Sequence, residues 1–243
     1  MGGANVTLVR DGRIATLTLD RPEYRNSLSD DMLKELIEAL TGLRDDRSSH
    51  VVIVTGASPV FSAGAHFPAR RGMSAEERRQ VFLSTPNQFR RLFERVTTLL
   101  ESLEQATIAM VNCHAIGGGF GLTLACDVRW AAAEALFSIP EVDLGVPLGV
   151  ASTTRFVRLV GPARAKEIIM ECRRYTAAET HAMGLVHRVV PGEQLSAAVR
   201  EYAAILAAKP FAPLAQVKAR INAIARTGIP EVNAMTEGFL SRE

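Results

Sequence analysis

The chain has 243 residues, 47% hydrophobic and 22% charged, enough to bury a sizeable core as one domain, or one domain with a helical appendage. With 28 basic residues against 26 acidic ones the formal charge is only +2, a balance that argues against a binder of nucleic acid or other polyanions. Cys113, Cys126 and Cys172 are odd in number and widely spaced, with no C-x-x-C and no histidine at ligand spacing, so neither a disulfide framework nor a metal site is indicated. A reduced compartment is expected. The opening MGGANVTLVRDG has no basic region followed by an apolar core, and no apolar run approaches the roughly 18 residues that span a bilayer. The expectation is therefore a cytoplasmic protein without a membrane partner.

In chain order, VTLVR and IATLTL read as two strands joined at Asp11-Gly12, a short hairpin signal. Ser29 offers an N-cap for a helix over Asp30 to Leu43, where Met32, Leu33, Leu36, Ile37 and Leu40 form one apolar stripe. Val51 to Thr55 is all apolar and reads as a strand buried on both faces, followed by a glycine-bearing loop from Gly56 to Phe67. From Ser74 to Gln105 the pattern is charged and helical, with a break expected at Pro86. The pairs Arg70-Arg71 and Arg78-Arg79 read as a solvated face. Ile108 to Val111 reads as a strand, the apolar run Leu122 to Cys126 as part of a helix, and Asp127 to Ala131 as another strand. Phe137 to Glu141 leads into a loop with Gly145, Pro147 and Gly149. Beyond Ala151 the pattern is almost wholly helical, including Leu214 to Ala225, and is interrupted by a strand over Leu185 to Val190, by Pro191-Gly192 and by Pro210. Strands recurring between helices predict an α/β core with a helical last third.

The stretch Thr107 to Asp127, TIAMVNCHAIGGGFGLTLACD, carries the strongest chemical signal. Gly117, Gly118 and Gly119 strip side chains from the place where a helix begins. Its first N–H groups, which lack partners inside the helix, can then face an anion or a developing oxyanion. The other reading is that the glycines only let strand and helix pack closely. Nucleotide motifs fail: G-x-G-x-x-G would need glycine at Leu122, and no Gly-Lys-Ser/Thr follows.

In order along the chain, the segments RPEYRNSLS, VVIVTG with FSAGA, TIAMVN with AIGGG, LACD, FSIPEVDLG, LVG and GLVHRVV together resemble the crotonase family, the enoyl-CoA hydratase and isomerase superfamily. The resemblance covers nearly the whole chain. It implies an α/β fold, a spiral of ββα units over residues 1–190, with a C-terminal helical region over 191–243 that serves trimerisation and closure of the CoA site. It implies an acyl-CoA thioester as substrate and a homotrimer or hexamer. No separate cofactor is expected, because CoA belongs to the substrate. The family's two backbone donors for the thioester oxygen fall by position on Ala65 and Gly118. Fixed donors are what an enolate forming beside a thioester requires.

Family hydratases carry two glutamates, and here those positions hold Gly121 and Glu141. Addition of water uses both carboxylates, whereas one suffices to shuttle a proton between two carbons of a bound enolate. Glu141 as the single proton shuttle, with Ala65 and Gly118 as the other catalytic positions, therefore favours isomerisation of a 3-enoyl-CoA to a 2-enoyl-CoA. The alternatives are hydration of a 2-enoyl-CoA, decarboxylation of a malonyl-type CoA, and acyl-CoA binding without catalysis. Asp143 is an outside candidate for a second carboxylate. His66 replaces the aspartate that usually follows AGA, and His114 precedes the glycines. Ala151-Ser152 stand in place of two later glycines. For CoA, the resemblance points to Arg25, Ser27, Ala63, Ala65, Gly117 and Gly118, and Lys218 is a candidate phosphate contact from the same or a neighbouring subunit. The chain stops at Arg242-Glu243, short of the tail that in many relatives helps close that site.

Overall fold

The computed structural model describes residues 5–66, 73–74, 76–77, 80 and 88–226. The expectations for Arg70-Arg71, Arg78-Arg79, Pro86 and Arg242-Glu243 fall outside these residues, as does much of the helical pattern after Ser74.

Strands β1 (Val6–Asp11) and β2 (Ile14–Leu19) pair antiparallel, with Gly12 and Arg13 as the two-residue turn, one position later than the sequence suggests. Gly12 takes φ +56 at the first turn position, a conformation that suits a tight hairpin. β2 alternates strictly, Ala15, Leu17 and Leu19 pointing into the core. Helix α1 (Asp30–Asp45) begins where expected: Ser29 Oγ accepts from Met32 N at 3.2 Å, capping the first turn. Its stripe of Met32, Leu33, Leu36, Ile37, Leu40 and Leu43 is buried and packs against α2 (Gln88–Ser102).

β3 (Val51–Gly56) is buried at every residue because strands flank it on both sides and helices cover it. With β4 (Ala106–Val111), β6 (Val128–Ala132) and β9 (Arg188–Val190) it completes a six-stranded sheet of order β1-β2-β3-β4-β6-β9, parallel from β2 onward. A second sheet of three short strands, β5 (Ala115–Ile116), β7 (Leu136–Ser138) and β8 (Arg174–Thr176), lies beside it. Phe137 and Ser138 thus belong to a strand, in a segment that the sequence marks only as leading into a loop. A pairing of two or three residues is too short to carry a period in the sequence.

Between these strands run α3 (Gly118–Thr123), α4 (Val150–Glu171) and α5 (Ala177–Ala182). α4 is broken at Gly161, which takes φ +73 just before Pro162. The strand expected over Leu185 to Val190 shortens to β9, since Leu185 and Val186 are used as buried packing residues after α5. Two helices follow. α6 (Gly192–Ala207) buries Leu195, Val199, Ala203 and Ala207 against the large sheet, and α7 (Phe211–Ala225) lies more exposed near β4.

Candidate active site

The site is assembled from five short segments. The first turns at Arg25 and Asn26, both left-handed at φ 52 and 51. Asparagine tolerates that conformation well, and here its side chain also makes it worthwhile. Asn26 is fully buried; Nδ2 donates to Ala57 O at 2.6 Å and Val60 O at 2.7 Å, while Oδ1 accepts from Arg21 N. These bonds pin the loop after β3 against residues 25–28. Ala63 N donates to Arg25 O, Leu28 N to Gly64 O and His66 N to Leu28 O. Leu28 and Ala65 form a parallel bridge. Strand alternation then sends Ala65 N–H to the side away from Leu28, where it meets no partner among the described residues.

On that side lies the start of α3. Gly118 N, first in its helix, also takes no partner among the described residues. A methyl group on Gly64 would lie 3.4 Å from Gly118 N, and one on Gly118 would lie 3.7 Å from Ala65 N. Two unpaired backbone donors therefore sit side by side. A helix of six residues contributes the Gly118 N–H rather than a long macrodipole.

The glycines meet different demands. Gly117 has φ 51 and ψ −122, closed to side chains, and a methyl there would stand 2.8 Å from Glu141 Oε1. At Gly118 a methyl would enter the space of the donor pair, facing Leu28 Cδ1 and the Phe93 ring. At Gly119 it would strike Ser62, 2.7 Å from both Cβ and the carbonyl oxygen. Close packing thus accounts for Gly119, whereas at Gly118 the absent side chain leaves the donor pair uncovered.

Glu141 follows β7 and opens a 3-10 turn over Val142–Leu144. Gly117 N donates to Ser138 O, which brings this segment against the glycine turn. The residue as a whole is half-buried, yet its Oε2 is sealed from solvent and takes no partner among the described residues. Burial pushes the carboxyl up to about 7, against a weaker opposing bond from its own backbone. A carboxyl near neutrality beside two unpaired donors can hold an oxyanion and move a proton.

The other residues singled out in the sequence separate clearly. Arg25 is exposed, while Ser27 is buried with its Oγ 2.9 Å from His66 Nδ1. Ala63 and Ala65 share the loop with them. Burial and Arg21 push the His66 imidazole down, so it is neutral at pH 7. His114 Nδ1 accepts from Leu136 N at 3.2 Å, tying the residue before β5 to β7. Asp143 is exposed on the 3-10 turn. Lys218 is not brought to the glycine turn: its Nζ pairs with Asp127 Oδ2 at 2.8 Å and donates to Gln105 O at 2.8 Å. It lines a separate, mainly apolar groove of about 430 Å³ with Leu124, Arg155, Tyr202, Leu214 and Ile221. Leu28 and Phe93, not singled out in the sequence, and Ser152, marked there only as a departure from glycine, also line the site, their side chains facing Gly118 or Gly121.

Residues 10–241 match the family described as enoyl-CoA hydratase/isomerase. The chain belongs to that family. Among curated relatives, crotonyl-CoA hydratase of Syntrophomonas wolfei is 36% identical over 210 residues, 86% of this chain and 78% of its own. A monofunctional enoyl CoA isomerase from M. smegmatis superposes with a TM-score of 0.78 at 32% identity, over 93% of this chain and 96% of its own. A putative enoyl-CoA hydratase from Thermobifida fusca, solved in complex with CoA, gives 0.80 at 30% identity, over 98% and 93%. The crotonase-like fold, α/β with a C-terminal helical region, is shared with these structures, and enzymes named for both reactions stand among the chain's relatives.

Proposed function

We propose that the protein isomerises 3-enoyl-CoA to 2-enoyl-CoA through a thioester enolate. The Glu141 carboxylate removes a proton from the carbon next to the thioester carbonyl. The electron pair moves onto the carbonyl oxygen, which the N–H groups of Ala65 and Gly118 receive. The same carboxyl then returns the proton two carbons further along as the double bond shifts, so no water is consumed and no second acid is needed. The observation that carries this reading is the Glu141 carboxylate, the one carboxylate among the described residues with a buried and unpartnered oxygen, held near neutrality beside the donor pair.

The CoA portion lies along Arg25, Ser27 and Ala63, at the rim beside Ala65, and Lys218 takes no part. The exposed Val217 and Ile221 of α7 suit contact with further copies in a homotrimer or hexamer. Hydration of 2-enoyl-CoA is the second reading, favoured by the hydratase names among the relatives. Incubating the purified protein separately with 3-enoyl-CoA and 2-enoyl-CoA distinguishes them: gain of the conjugated thioester supports isomerisation, its loss hydration. Acyl-CoA binding without either change would favour a non-catalytic binder. Full activity in Glu141→Gln, on whichever substrate turns over, would remove the role given to Glu141.

A further inference from the structure

Gly117 is the residue that precedes α3 and Gly121 lies one turn into the helix; Gly121 N donates to Gly117 O at 2.9 Å, which holds the two close together. Glu141 stands against the first, and Ser152 stands against the second. A Cβ on Gly121 would overlap Ser152 Oγ, with Phe93 Cζ and Ser152 Cβ each 3.3 Å away. Ser152 is 2% exposed, held in the first turn of α4 by the bond from its N to Gly149 O, and its hydroxyl takes no partner among the described residues. Two polar side chains without partners thus flank one face of the glycine helix. Phe93 and Leu28 close the space between them and the donors.

We infer that Ser152 is the specificity-determining residue of this site: its hydroxyl fills the room that a side chain on residue 121 would need, and so holds the enzyme to chemistry with one carboxylate. Glycine at 121 and serine at 152 are then a matched pair. A glutamate at 121 would have to displace the Ser152 hydroxyl, so the serine opposes it there. The inference rests on the single-carboxylate reading for its chemistry, but its steric half stands on packing alone.

The test is a cycle of Gly121→Glu, Ser152→Gly and the double variant, read by melting temperature and by the ratio of hydration to isomerisation. Gly121→Glu alone melts several degrees lower, because the Ser152 hydroxyl must swing out of its place while Phe93 Cζ and Ser152 Cβ, each 3.3 Å from the new Cβ, still crowd it. The double variant recovers most of that loss and adds water to 2-enoyl-CoA at least about 10²-fold faster than the wild type. Ser152→Gly alone adds no hydration, since opening the room supplies no carboxylate. If Gly121→Glu melts like the wild type, or the double variant melts no higher than Gly121→Glu, Ser152 does not close position 121. If the double variant is stable yet gains no hydration, Ser152 does not set the reaction. A wild type that hydrates and does not isomerise would instead overturn the proposed function, and the melting data would still judge the steric half.

Discussion

Replacing Glu141 with glutamine removes a charge that the fold buries with one oxygen unpartnered, and the change should stabilise the protein in a pH-dependent way. The folded carboxyl titrates at about 7 rather than the usual 4.5, because burial penalises the ionised form. A raised carboxyl contributes stability that is full below about 4.5 and is lost as pH rises through about 7. At 1.36 kcal/mol per pH unit, that interval corresponds to about 3 kcal/mol, an upper bound for a half-buried residue. Glutamine does not titrate. The stability difference between Glu141→Gln and wild type should therefore grow from acid to pH 8 by up to about 3 kcal/mol, or about 6–12 °C in melting temperature. Urea denaturation of both proteins at intervals from pH 4.5 to 8 measures it directly, since every other titrating group is common to both. A difference that stays flat with pH would refute the reasoning, because the carboxyl would then be solvated or paired in solution.

The same titration should appear in catalysis: if carboxylate Glu141 is the base, turnover of 3-enoyl-CoA rises with pH through about 7, and a profile flat from pH 5 to 9 would contradict it. Gly118→Ala places a methyl 3.3 Å from Leu28 Cδ1, a flexible end that can yield, and 3.7 Å from Ala65 N. Its melting temperature should hardly move while activity falls about 10²-fold, the scale of losing one oxyanion donor; unchanged activity would take Gly118 out of the site. Gly117→Ala should lose both stability, by about 1–3 kcal/mol, and activity, since φ 51 strains the backbone and the methyl displaces Glu141. Lys218→Met should cost about 1–3 kcal/mol through its bonds to Asp127 and Gln105 and leave KM for acyl-CoA unmoved. A raised KM with unchanged stability would return Lys218 to the CoA site.

Much of the large sheet was legible because its strands are long enough to show their burial. β2 alternates, β3 is apolar throughout, and Ser29 announces α1 by a side chain that caps it. The second sheet was not, because β5, β7 and β8 span two or three residues and are specified by partners far along the chain. In the site, Ala65, Gly118 and Glu141 were reachable through motif order, and the structure brings them together. Lys218 carried no local signal of its partner: a lysine on a helix looks the same in sequence whether it faces a phosphate or, as among the described residues here, a half-buried aspartate. Ser152 could be noticed only as a departure from two glycines. Its meaning needed the approach of α4 to α3, which no local pattern encodes. Asn26 gave a partial signal, since asparagine is among the few residues at ease in a left-handed turn.

The donor at Ala65 is aimed by Leu28, the donor at Gly118 by the turn that Ser138 ties to Gly117, and the room beside them by Ser152. These anchors are spread from 28 to 152 in the chain, so no short run of consecutive residues contains the whole site. The loops that join them must close before any donor is fixed, and long closures come late in folding. Recovery of turnover during refolding should consequently trail the return of helical signal. For the same reason the chemistry cannot be grafted onto another scaffold by moving the glycine triplet alone, since its reactivity belongs to the crossing of distant segments and not to the motif that marks it.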